Sequence, residues 1–129
     1  MLRVLLSILV LIVSLLFLGC EQQKEVKYKK HTEKYYQAKL CKRLGGVMEY
    51  RLSDKTRVDC LTKEYAIEVD WAKKWAEGIG QSLYYSIMTH RKPAVALIVG
   101  YKDKRYIKRL DKVAKRLGIK VFLIEKEKK

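Results

Sequence analysis

Residues 65–75 read YAIEVDWAKKW. Tyr65, Ala66, Ile67, Val69 and Trp71 have the composition of a buried strand. Glu68 and Asp70 interrupt it, and their two-residue step puts both carboxylates on one face. In the middle of a sheet an unpaired carboxylate is costly to desolvate, and two neighbours on one face also repel each other. A divalent cation removes both penalties. The alternative is a one-sided sheet whose acids face solvent and pair with some of the chain's many lysines.

Downstream of this strand the period changes. Trp75, Ile79, Leu83 and Ile87 recur at four-residue steps, which predicts a helix from about 73 to 90. Lys92-Pro93 ends it, and AVALIVGY (94–101) is an apolar run of the kind seen in a strand covered on both faces. A last helix over about 103–117 stops at Gly118, and KVFLI supplies a final strand. Upstream, VMEYRL and TRVDCLT are strand candidates separated by Ser53-Asp54-Lys55, which suits a hairpin turn. A helix over about 32–44 precedes them, with Thr32 as N-cap and Gly45-Gly46 as its stop. The order α-β-β-β-α-β-α-β predicts an α/β fold: an antiparallel meander feeds a crossover helix and a mixed sheet flanked by helices.

If the second and third strands pair as a hairpin, Asp59 in RVDCL lies beside Glu68. Oxygen ligands from adjacent strands are what Mg²⁺ requires, with Mn²⁺ as a substitute. In the following helix Lys74 and Gln81 are seven residues apart and project from one side, with Gly78 between them leaving the surface open. Together these residues resemble the PD-(D/E)XK nuclease superfamily, the restriction-endonuclease-like fold, over about residues 31–101. The resemblance implies an αβββαβ core with the last helix and strand as additions. It also implies Mg²⁺-dependent hydrolysis of DNA phosphodiesters by a metal-activated water. Asp59 and Glu68 match the family's metal-binding acids, Gln81 its recurrent helix glutamine, and Glu33 its first-helix acid, with Glu49 as the alternative. Asp70 stands where the family has its lysine; either Lys74 reaches back to take that role with Asp70 assisting at the metal, or the site binds metal without cutting efficiently.

The N-terminus, MLRVLLSILVLIVSLLFLGC, has one Arg, an apolar run from Val4 to Leu18, then Gly19-Cys20. That run is shorter than the roughly 17 to 25 residues of a spanning helix. It is similar to a bacterial lipoprotein signal with Cys20 as the lipidated residue, or to an uncleaved anchor. Residues 1–20 are thus read as signal or anchor, 21–30 as a polar tether, and 31–129 as the domain. Export permits a disulfide between Cys41 and Cys60; two small buried thiols are the other reading. No cysteine spacing fits a zinc site, and His31 and His90 have no spacing that suggests zinc or a catalytic triad.

Lys and Arg number 29 against 14 acids, a formal net charge of +15. A polyanion is the natural partner, DNA first and anionic lipid second. Lys108, Lys112 and Lys115 form a basic stripe on the last helix, opposite Ile107, Leu110, Val113, Ala114 and Leu117. Three readings follow: a membrane-tethered nuclease, a nucleic-acid-binding module of the same fold without the chemistry, and a lipid-anchored envelope interaction protein.

Overall fold

The computed structural model describes Met1 and residues 26–128. Helix α1 (Glu33–Arg43) is capped by Thr32, whose hydroxyl accepts the Tyr35 N–H at 3.3 Å. It ends at Gly45, where φ is +63°. Strands β1 (Val47–Arg51), β2 (Arg57–Leu61) and β3 (Tyr65–Trp71) follow. A 3₁₀ turn (Ala72–Lys74) then leads into α2 (Trp75–Thr89) and β4 (Lys92–Val99). A second 3₁₀ turn (Tyr101–Asp103) leads into α3 (Lys104–Leu117), and β5 (Lys120–Glu125) closes the order.

The five strands form one sheet in the order β1-β2-β3-β4-β5. The first three are antiparallel, and β3, β4 and β5 run parallel. The fold is α/β with a mixed sheet and flanking helices, as the sequence predicts. The crossover helices α2 and α3 cover one face of β4 and α1 covers the other, so this strand is buried on both faces. Ala94, Ala96 and Ile98 pack with Ile67, Val69 and the α1 residues Tyr36, Leu40 and Cys41. Val95, Leu97 and Val99 pack on the other side with Ala72 and with Leu110 and Ala114 of α3. That double burial is why residues 94–99 carry no polar side chain.

Two boundaries differ from expectation. The helix predicted from residue 73 begins at Trp75, so Lys74 belongs to the 3₁₀ turn. Lys92 and Pro93, read as a break, are the first residues of β4, with Pro93 opposite Ala66. A strand start tolerates proline because few ladder bonds there need its missing N–H.

Cys41 of α1 and Cys60 of β2 form a disulfide, which settles the two readings of that pair. Gly46 packs against it: a Cβ there would lie 2.5 Å from the Cys60 sulfur and 2.9 Å from that of Cys41. The signal or anchor reading of residues 1–20, Cys20 included, falls outside the described residues. Residues 26–29 have no regular structure, and among the described residues no helix is long and apolar enough to cross a membrane.

Candidate functional site

Asp59 sits at an interruption in both ladders of β2. The β1–β2 register pairs Met48 with Cys60 and Tyr50 with Val58 but skips Glu49 and Asp59. Glu49 has φ +54°, a left-handed conformation uncommon for a side chain of its size. On the other side, β2–β3 pairing covers Cys60–Ile67 and Leu61–Ala66. Continued, it would send the Val69 N–H to a β2 carbonyl; the Asp59 Oδ2 accepts it instead, at 2.8 Å. The Asp59 carbonyl accepts from Gln37 Nε2 at 2.7 Å, and the same amide donates to Glu49 Oε1 at 2.8 Å. Gln37 is only 2% exposed and reaches the gap from α1.

Into this gap project the two acids of β3. Glu68 is 6% and Asp70 3% exposed, so the one-sided sheet with solvated acids is excluded. Their β4 neighbours are Val95 and Leu97. Burial pushes the Glu68 carboxyl up to about 9, reinforced by the charges of Asp59, Asp70 and Glu33. Burial also raises Asp59 and Asp70 to about 6, against the Val69 and Trp71 N–H groups that favour their charged forms. Glu33, at the start of α1, is raised by burial and by Asp59, and lies within hydrogen-bonding reach of Asp70. Glu68 Oε2 is buried without a hydrogen-bond partner. At neutral pH the Glu68 carboxyl keeps its proton.

The sequence-predicted residues are therefore partly gathered. Asp59, Glu68, Asp70 and Glu33 share one electrostatic neighbourhood, whereas Glu49 touches only its Asp59 side and is engaged by Lys34 and Arg57. The expected ligand set is not closed into a shell: among the described residues no three His, Cys, Asp or Glu form a group that could hold a metal ion. Lys74 stands at the rim, 3.7 Å from Asp70 Oδ1 and 3.8 Å from Glu77 Oε2. Its charge offsets that of Asp70. Gln81 interacts with Tyr85, a buried ring whose hydroxyl is pushed up to about 12 by burial and by Glu68 and Asp59. Gly78 lies over the pocket, where a Cβ would stand 3.3 Å from Val95 Cγ1 and 4.0 Å from Glu68 Cγ.

Gln37 and Tyr85 are the residues that sequence reasoning did not assign to the site. Gln37 is one residue from Tyr36 and three from Leu40, so a glutamine on the buried side of α1 was the available signal. Tyr84 is exposed and donates to Asp54.

On α3 the three lysines of the expected stripe are exposed, but Leu117, expected on the opposite apolar face, is 48% exposed because it ends the helix beside Gly118. Lys108, Lys112 and Lys115 are exposed while Leu110 and Ala114 are buried, and Lys115 pairs with Asp111 at 2.8 Å. Lys104, Arg105, Arg109 and Arg116 extend the same exposed basic surface.

No family model and no solved structure matches the chain. A curated relative does: a KilA-N domain-containing protein of Acanthamoeba polyphaga mimivirus, 32% identical over 92 residues. The match covers 71% of this chain and 24% of that protein, so the chain spans about a quarter of the relative's length. The relative is named for a KilA-N domain and not for a hydrolase. It overturns the expectation of Mg²⁺-dependent phosphodiester hydrolysis. The roles assigned for cutting, with Lys74 orienting water and Gln81 supporting it, go with that correction. Lys74 is held between Asp70 and Glu77, and Gln81 meets Tyr85.

Proposed function

We propose that this chain is a DNA-binding module. The observation that carries the reading is the separation of charge by sign. Three acids, Asp59, Glu68 and Asp70, are withdrawn into one pocket, with Glu68 held neutral, while α3 turns an exposed row of lysines and arginines outward. An exposed basic row of this kind releases counterions from a phosphate backbone, which supplies affinity without sequence readout. The relative's KilA-N name supports the same partner. The PD-(D/E)XK-like element order serves here as scaffold. Export fits the Cys41–Cys60 disulfide, which persists in oxidising compartments.

The test is fluorescence anisotropy of a labelled duplex across a KCl series. The expected result is binding that weakens steeply as salt rises. A double Lys108→Glu/Lys112→Glu variant binds less tightly and has a shallower salt slope, by about one unit for each phosphate it no longer neutralises. Absence of salt-sensitive binding at low ionic strength would falsify the reading.

A second proposal concerns the pocket. The unpartnered Glu68 Oε2 favours exchange of the buried proton for a divalent cation such as Mg²⁺, and since Asp59, Glu68 and Asp70 are not grouped as a metal shell in this structure, their carboxylates would have to draw together around the ion. Such an ion would act as an electrostatic cross-link between β2 and β3.

A further inference from the structure

Tyr101 is the most exposed aromatic side chain among the described residues, at 90%. One exposed tyrosine is ordinary on most surfaces. This one differs in how it is held and in what surrounds it. It begins the 3₁₀ turn that follows β4, beyond the carboxyl ends of the parallel strands β3 and β4, where open α/β sheets present their crevice. The turn is anchored. The Asp103 carboxylate accepts the Gly100 N–H at 2.8 Å and holds Lys126 at 3.2 Å, and Lys126 in turn lies 5.3 Å from the centre of the Trp71 ring. The Lys104 ammonium is 5.7 Å from the Tyr101 ring centre, Lys102 is its exposed chain neighbour, and Arg105 is exposed further along the segment with its guanidinium 4.7 Å from the Tyr106 ring centre. An exposed aromatic ring on an anchored turn, with one ammonium against it and further cations along the same segment, has the two parts of a single-strand site: a stacking platform and phosphate contacts.

We propose that Tyr101 is a stacking platform for an unpaired base, and that the edge formed by Tyr101, Lys102, Lys104 and Arg105 takes single-stranded nucleic acid in preference to duplex. This inference rests on the DNA-binding reading and adds the substrate class. A duplex offers no free base face, so the ring contributes only to a strand whose bases are unstacked.

The experiment compares full-length wild type, Tyr101→Ala and Tyr101→Phe in anisotropy titrations against labelled oligothymidylate and a labelled duplex of equal length, at matched salt. The expected result is that Tyr101→Ala weakens single-strand binding by about 5- to 100-fold, leaves duplex affinity within roughly twofold because no stacked base is lost, and is rescued by Tyr101→Phe. Unchanged thermal midpoints show that the variants fold. Wild type that binds duplex while Tyr101→Ala leaves both affinities unchanged, or lowers both equally, would overturn this inference and leave the DNA reading standing. Wild type that binds neither oligonucleotide, or only anionic lipid vesicles, would overturn both.

Discussion

The Asp59 carboxylate takes the place of a backbone carbonyl for Val69, accepting its N–H at 2.8 Å where the ladder between β2 and β3 is interrupted. The side chain is thus structural as well as acidic, and the two roles separate by substitution. Asp59→Asn keeps an acceptor and removes a buried charge, so it leaves the urea midpoint unchanged or raised at pH 8. Asp59→Ala orphans the Val69 N–H and costs about 1–3 kcal/mol. Equal loss in both variants would show that the charge, not the acceptor, is what Val69 needs.

Acid titration of the pocket sets a direction for stability against pH. A carboxyl raised on folding binds its proton more tightly in the native state, so stability falls as pH rises between its unfolded and folded values. Asp59 and Asp70 contribute this loss from 3.8 to about 6, and Glu68 extends it from 4.5 to about 9. Glu68→Gln is expected to flatten the decline above pH 6 and to raise the thermal midpoint at pH 8 by roughly 5 °C. A wild-type curve still rising from pH 6 to 9 would contradict the burial of these acids.

Divalent cations should act on the same group. Millimolar Mg²⁺ or Mn²⁺ raises the wild-type melting temperature at pH 8 relative to EDTA, with release of a proton detectable in weak buffer, and Glu68→Gln loses both effects. A shift of equal size in the variant would assign the ion to the surface instead.

Gly46 is required by space. A methyl group there would overlap both sulfurs of the disulfide and approach the Leu61 carbonyl at 3.0 Å. Gly46→Ala is therefore expected to cost about 1–3 kcal/mol, since crowded backbone and a covalent bridge cannot move aside. Denaturant unfolding measures it, and removal of both cysteines should restore room for the alanine.

Most of the fold was legible because its signals are local. The four-residue steps from Trp75 to Ile87, the apolar run after Pro93 and the glycine stops at 45 and 118 each fix an element without reference to its neighbours. The facing of Glu68 and Asp70 was legible too, from strand alternation alone. The ladder gap at Glu49 and Asp59 was not, because it depends on register, which arises between strands. Gln37 was hidden for the same reason: its partners are 12 and 22 positions away. Activity was the weakest reading, since buried acids have one appearance in sequence whether protons or metal neutralise them.

Cys60 is the immediate neighbour of Asp59, and its bridge to Cys41 pins to one point the strand that bears the ladder gap and the helix that supplies Gln37 and Glu33. Material recovered from a thiol-rich host and material recovered from an oxidising one are accordingly two different reagents. Any titration of the acids must state which of them was in the cuvette.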